Sequence, residues 1–173
     1  MTRYVALLRG VNVGKIKVTS AALAAMARDL GLDDVRTVLA SGNLLFSSDD
    51  APAALKSRIE AGLRETFGYD AWIVLTTADH VGAVIDAYPF SADDAAYQPY
   101  VLFGSDQSVL DEIAAAAPGI ASDDERVAAG DGVVYWECPK GSSLDTPFAK
   151  LIAKAKYRST TTNRNLRTLR KLT

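Results

Sequence analysis

The order in which short apolar strands and amphipathic helices alternate along the chain most constrains its fold. Strands are predicted where apolar residues run consecutively, and helices where they recur every three or four positions. The first half reads strand, helix, strand, strand, helix, strand. Its strands are predicted at residues 4–8, 35–39, 44–47 and 71–75, with one helix between Thr19 and Gly31 and another between Asp49 or Asp50 and Gly68. This order is typical of the split β-α-β, or ferredoxin-like, fold.

The same order recurs about 96 residues later, from Tyr4 to Tyr100, with little shared sequence. A helix that Thr77 caps and Pro89 ends is predicted first, followed by a loop at 90–99. The repeat then has strands at 100–103, 125–129 and 133–137, and helices at 106–117 and from 146 onward. We therefore predict an α+β protein of two tandem ferredoxin-like (α/β plait) halves with antiparallel sheets. The halves are residues 1–78 and 79–173, and the second ends in a basic C-terminal arm.

Composition excludes several classes of protein. Hydrophobic residues make up 49% and charged residues 23% of the 173-residue chain, which is too apolar for a disordered protein. No apolar run approaches the roughly 18 residues of a membrane span. The short apolar stretch at the N-terminus is interpreted as a strand, and the single Cys138 excludes an internal disulfide. The expectation is a cytoplasmic protein without a membrane partner.

Charge is distributed unevenly along the chain. Residues 1–28 carry +5 and residues 146–173 carry +8, both without an acid, whereas residues 29–145 carry −15. The basic ends either neutralise the acidic middle or meet to form an anion-binding surface. Charge alone favours neutralisation.

One loop motif stands out, Ala-Leu-Leu-Arg-Gly-Val-Asn-Val-Gly-Lys at residues 6–15. An apolar strand there enters a loop that carries two glycines, an amide and two cations. In a ferredoxin-like sheet the first strand lies beside the third, so this loop is expected next to the Ser-Gly-Asn turn at residues 41–43. The predicted ligand-binding residues are Arg9, Asn12, Lys15, Ser41 and Asn43, with Arg164 and Asn165 if the C-terminal arm folds back.

The glycines of this motif do not form a nucleotide-binding P-loop. Three residues instead of four separate Gly10 from Gly14, and Ile16 stands where a serine or threonine would ligate magnesium. Exposed N–H groups with Arg9 and Lys15 remain suited to phosphate or carboxylate. The structural alternative is that the glycines only shape a turn. Both interpretations stay open.

The motifs together resemble the family called domain of unknown function 1697. Its members open with a sequence close to LLRGINVG, here residues 7–14, and continue with a Ser-Gly-Asn turn, here residues 41–43. Residues 161–168, Thr-Thr-Asn-Arg-Asn-Leu-Arg-Thr, resemble the family's C-terminal arm, with Leu166 in place of a frequent tryptophan. The resemblance implies two ferredoxin-like halves in a small bacterial cytoplasmic protein. It implies no established activity.

Other reactive side chains are interpreted as structural. The only histidine, His80, is expected at the surface in the first turn of a helix, and Cys138 is expected to be buried. One histidine and one cysteine exclude the usual zinc sites, and no catalytic triad can be assembled. The acidic clusters at 93–94 and 123–125 are interpreted as solvated loop charges and helix caps. The sequence therefore assigns no metal, cofactor or catalytic residue and leaves open whether the protein is an enzyme.

Two alternatives to a small anionic ligand remain. The basic C-terminal segment could bind nucleic acid through its phosphates. The aromatic pattern of an RNA-recognition domain is missing, and the strand aromatics are interpreted as sheet-packing residues. The third possibility is a structural or protein-interaction domain.

Overall fold

The computed structural model describes residues 1–10, 16–38 and 42–173. It divides into two compact units. The first comprises Met1–Val81 and Lys171–Thr173, and the second comprises Gly82–Arg170. The boundary predicted between residues 78 and 79 stays a prediction.

The first unit has the predicted ferredoxin-like order. Its elements are β1 (Thr2–Arg9), α1 (Ser20–Asp29), β2 (Asp33–Val38), β3 (Asn43–Ser48), α2 (Pro52–Phe67) and β4 (Trp72–Thr77). The strands form one antiparallel sheet in the order β2-β3-β1-β4. Alternation along β1 turns Tyr4, Ala6 and Leu8 toward the core beneath α1 and α2, and turns Arg9 to the opposite face.

Local sequence accounts for most helix ends in this unit. Thr19 caps α1, since its Oγ1 accepts a hydrogen bond from Ala22 N at 3.1 Å. Gly68 ends α2 in a left-handed conformation, with φ +68°. The predicted cap of α2 is wrong, because Ala51 holds that position without a side-chain bond. The Asp50 carboxylate instead accepts from Arg58 Nη1 at 2.6 Å.

The second unit repeats the topology in full. After α3 (Ala78–Asp86), which crosses the boundary, come β5 (Tyr97–Gly104), α4 (Gln107–Ile120), β6 (Arg126–Gly130), β7 (Val133–Pro139), α5 (Pro147–Ile152), a 3-10 turn (Ala155–Tyr157), β8 (Thr161–Asn165) and α6 (Leu166–Arg170). Its sheet has the order β6-β7-β5-β8, all antiparallel. The two antiparallel sheets with their interleaved helices confirm the predicted fold class.

Three expectations for the second unit are wrong. β5 begins at Tyr97, within the segment predicted as a loop. α4 runs through Pro118 to Ile120, and Ala121 N donates to Ala117 O at 2.8 Å to complete the last turn. Part of the predicted C-terminal arm is β8, a strand that pairs with β5, where Arg164 lies opposite Val101.

Candidate functional site

The described ends of the two predicted loops lie side by side in the first unit. β1 and β3 pair in antiparallel register, with Leu7 opposite Asn43. Beyond that pair, Leu8 N donates to Gly42 O at 3.0 Å. The end of β1, at Arg9 and Gly10, therefore stands beside the start of β3. Three of the predicted ligand-binding residues, Asn12, Lys15 and Ser41, lie outside the described residues.

Gly10 follows the last residue of β1 in a left-handed backbone conformation. Its φ of +78° lies in the left-handed region, which side chains with a Cβ rarely adopt. A Cβ at this position would stand 3.9 Å from Cε2 of the Tyr69 ring. Tyr69 follows the end of α2 and packs against the core of this unit, so its ring lies beside the turn that ends β1.

The Tyr69 hydroxyl is buried and, within the described part of the chain, has no hydrogen-bond partner. Burial raises the pKa of this phenol above its usual value, so the group is a neutral donor at physiological pH. Buried polar groups in proteins nearly always have a partner, and one without a partner costs free energy. Sequence reasoning missed this residue, since a tyrosine after a helix-ending glycine carries no distinctive pattern.

Arg9 and Asn43 share the sheet face opposite the one that α1 and α2 cover. Arg9 pairs with Trp72 of β4, and Asn43 with Leu7 of β1. The Asn43 side chain is 3% exposed, and its Nδ2 donates to Val38 O at 3.1 Å. Val38 is also its cross-strand partner, so the Asn43 side chain ties the start of β3 to the end of β2. Arg9, by contrast, is only half-buried and supplies a cation at the end of β1.

Arg164 and Asn165 lie on β8 of the second unit and make local contacts. Arg164 Nη1 donates to Thr162 Oγ1 at 2.7 Å and to Asn163 O at 2.9 Å. Asn165 Oδ1 accepts from Arg167 N at 2.9 Å, where β8 passes into α6. These bonds give both residues a role in holding the end of β8. Their predicted part in a ligand site remains a prediction.

The other reactive side chains have structural surroundings. His80 is half-buried, and its Nδ1 lies 2.7 Å from Thr76 Oγ1. Cys138 is fully buried, and burial raises the pKa of its thiol to about 11, which keeps it protonated. Glu125 is not the solvated loop charge that the sequence predicted. It is 7% exposed, and its Oε2 accepts from Ser122 N at 2.8 Å.

Part of the basic C-terminal segment pairs with the acidic middle of the chain. Lys156 Nζ lies 3.4 Å from Glu112 Oε1, and Arg170 Nη1 lies 3.3 Å from Asp93 Oδ1. Both pairs lie within the second unit and are partly exposed, so each contributes little stability. They do show that some of the C-terminal cations neutralise acids from the middle of the chain.

The described residues contain neither a metal-binding cluster nor a membrane-spanning helix. No group of three or more His, Cys, Asp or Glu side chains among them is placed to hold a metal ion. Likewise, none of the helices in the described ranges is both long enough and apolar enough to cross a membrane.

The fold and this junction define a class of protein, an α+β chain of two ferredoxin-like units with a glycine turn at the end of the first strand. The model of the family described as "Protein of unknown function (DUF1697)" matches residues 1–135, and the chain belongs to that family. No match was found among curated proteins.

Solved structures include a similar protein over the whole length of the chain. The conserved bacterial protein SP0830 from Streptococcus pneumoniae is 29% identical, with a TM-score of 0.83, and the match covers 99% of this chain and 96% of that one. An unknown protein from Galdieria sulphuraria, 9% identical, has a TM-score of only 0.28 over 95% of this chain and 96% of that one.

Proposed function

We propose that the protein binds a small anionic ligand, a phosphate or carboxylate compound, where β1 ends and β3 begins. Arg9 and Lys15 would supply positive charge, and Asn12, Ser41 and Asn43 would supply hydrogen bonds. The observation that carries the proposal is the 3.0 Å bond from Leu8 N to Gly42 O, which joins the two polar glycine-bearing segments. The acid-free composition of residues 1–28 supports an anion as the ligand.

The described donors suit an oxyanion. A guanidinium forms two parallel hydrogen bonds with a carboxylate or phosphate. The Tyr69 hydroxyl, buried beside Gly10, could donate a further bond and would thereby gain the partner that the described chain does not provide. Asn43 contributes less in this proposal, because its Nδ2 already donates to Val38 O.

Isothermal calorimetry with inorganic phosphate, AMP and succinate tests the proposal. At least one of these probes should bind, and Arg9→Ala should weaken binding about tenfold or more, since a hydrogen bond to a charged group contributes roughly 1.5–3 kcal/mol. Arg28→Ala is the matched control, because it removes the same charge from the exposed end of α1 in the same acid-free segment.

Two results would contradict an anion site. Equal weakening by Arg9→Ala and Arg28→Ala would show a general charge effect. Unchanged binding with a lower melting temperature in Arg9→Ala would make this residue part of the scaffold. Arg164→Ala, measured against the same probes, tests the predicted contribution of the C-terminal segment separately.

We also propose that the protein acts in the bacterial cytoplasm. The similar solved structure from Streptococcus pneumoniae and the single, buried, protonated cysteine support this location. Fractionation of the cells that express it, followed by immunoblotting, checks the proposal. Recovery in the membrane or secreted fraction would refute it.

The nucleic-acid alternative keeps one supporting feature, the +8 charge of residues 146–173. Removing residues 158–173 would delete β8, so the sharper variant is Arg167→Glu on the exposed surface of α6. A gel shift that weakens steeply with salt and is reduced by this variant would favour nucleic acid over a small anion. A structural or protein-interaction domain would show neither response.

A further inference from the structure

An open groove of about 620 Å³ lies in the second unit, along the outer side of β6. The second half of α4 and the segment that joins α4 to β6 form one wall, and Phe90 contributes to the lining. Every residue named for this groove belongs to the second unit. It therefore shares no residue with the anion site proposed for the first unit.

The lining of the groove shows which part of β6 it follows. Four consecutive residues of the strand, 126 to 129, contact it. Side chains alternate between the two faces of a sheet, so a groove on one face would be lined by every second residue. Consecutive lining residues instead mark the strand edge. β6 is an edge strand, with β7 as its neighbour on the other side.

The hairpin register determines which backbone groups point into the groove. Gly130 and Val133 pair across the two-residue turn Asp131-Gly132, which makes them a hydrogen-bonded pair. Bonded and non-bonded pairs alternate along an antiparallel ladder. The N–H and C=O groups of Val127 and Ala129 are consequently directed away from β7, toward the groove.

The groove has one apolar wall and one polar end. Small residues line the α4 side, namely Ala114, Ala117, Pro118 and Ala121. The other end is polar, but Glu125 accepts bonds from Ser122 and Phe148, and Arg126 pairs with the buried Glu137 at 3.4 Å. The exposed Asp123 carboxylate lines that end too, next to the exposed Asp124.

We propose that this groove binds an extended peptide of a partner protein, which adds as a strand to β6. Its backbone would pair with Val127 and Ala129, and an apolar side chain would pack on the alanines of α4. A lysine or arginine of the peptide would pair with Asp123. Strand addition of this kind draws affinity from backbone bonds and specificity from pockets for alternate side chains.

A second copy of the chain, paired in the register that centres on Ala128, fits this edge less well. In antiparallel self-pairing centred on Ala128, Arg126 would face Gly130 of the other copy. Asp131 of that copy would then come next to Asp124 and Glu125, which places like charges together. A peptide that carries a cation at this end has no such conflict, which is why we assign the groove to a partner of that composition.

Selection of a phage-displayed library of random linear heptapeptides against the full-length protein tests the proposal. Enriched peptides should combine alternate apolar residues with a lysine or arginine. Ala129→Pro removes an outward N–H without disturbing the bonds to β7, and it should weaken binding of synthetic peptides about tenfold or more. Ala95→Pro, in an exposed loop of the same unit, is the matched control and should bind normally.

N-methylation of the selected peptide gives an independent measurement. Only every second N–H of the bound peptide faces β6. Methylation of the amides that face β6 should therefore abolish binding, and methylation of the amides between them should leave it intact. Should Ala129→Pro fail to fold, the exposed pair Asp123→Lys and Asp124→Lys replaces it and should reverse the preference toward acidic peptides. No enrichment, no dependence on the methylation register, or equal affinity of a folded Ala129→Pro variant overturns the proposal. A concentration-dependent dimer that Ala129→Pro abolishes would assign the edge to a second copy and overturns it as well.

Discussion

The two units share one topology but differ where their first strand ends. In the first unit, residues 10–19 connect β1 to α1, and this connection carries Gly10, Lys15 and Lys17. In the second unit, only residues 105 and 106 connect β5 to α4, and the second of these is the acidic cap Asp106. The same fold therefore has a ten-residue basic connection at this place in one copy and a two-residue connection with a helix cap in the other. This contrast teaches that the longer basic connection, on which the proposed anion site depends, belongs to one copy of the repeat and is not a general property of the fold.

The largest expected effect tests whether the two units are also independent in stability. Trp136 is fully buried, stacks on Tyr100 at 4.8 Å between ring centroids, and donates from Nε1 to Asn163 Oδ1 at 2.9 Å. Trp136→Ala should lower the free energy of unfolding by about 3–5 kcal/mol in urea titration. The matched variant is Phe46→Ala in the core of the first unit. If the units unfold independently, the titration shows two transitions, and each variant shifts only the transition of its own unit. A single transition that both variants shift would show that the units unfold together.

A smaller effect is expected at the helix that follows the basic loop. Thr19 caps α1 through its hydroxyl, and Thr19→Ala should cost about 1 kcal/mol at any pH between 4 and about 8. Thermal unfolding of the variant at several pH values checks this. Thr19→Ser, which keeps the hydroxyl, is the control and should retain most of the stability.

The corresponding cap of the second unit should respond to pH. Hydrogen bonds from Ser108 to the Asp106 carboxylate lower the pKa of this exposed group in the folded state. A lowered folded-state pKa contributes stability above the unfolded pKa, and this contribution is lost as pH falls through the folded pKa. Asp106→Asn should therefore reduce the fall in melting temperature that the protein shows as the pH is lowered. An unchanged fall in melting temperature would contradict the assignment.

The smallest effect is expected at Tyr69, in a comparison of two tyrosine hydroxyls that lie at least partly buried. Tyr88 donates to Trp136 O at 3.1 Å, whereas the Tyr69 hydroxyl has no partner in the described part of the chain. Tyr88→Phe should cost about 1 kcal/mol, and Tyr69→Phe should leave stability unchanged or raise it slightly, because it removes a buried group that has no partner among the described residues. Chemical denaturation measures both. A clear loss of stability in ligand-free Tyr69→Phe would show that the hydroxyl bonds to the protein itself.

Much of the fold could be predicted because its determinants are local. The apolar runs of β1, β3 and β7 and the cap residues Thr19 and Thr146 act within a few positions of themselves. Strand β8 could not be predicted in this way. Its sequence, Thr-Thr-Asn-Arg-Asn, lacks apolar alternation, and its place in the sheet depends on pairing with β5 some sixty residues earlier.

The candidate site likewise has features that the local sequence predicts and features that it does not. The sequence by itself identified the glycine loop, the cation Arg9 and, through the expected strand order, the neighbouring Ser-Gly-Asn turn. Only the tertiary structure decided that Asn43 is bonded to Val38 O, that Tyr69 stands beside Gly10, and that Glu125 is buried. The physical reason is the separation along the chain over which each interaction acts. Backbone turns and helix caps depend on nearest neighbours, whereas the burial and partners of a polar side chain depend on segments that folding brings together.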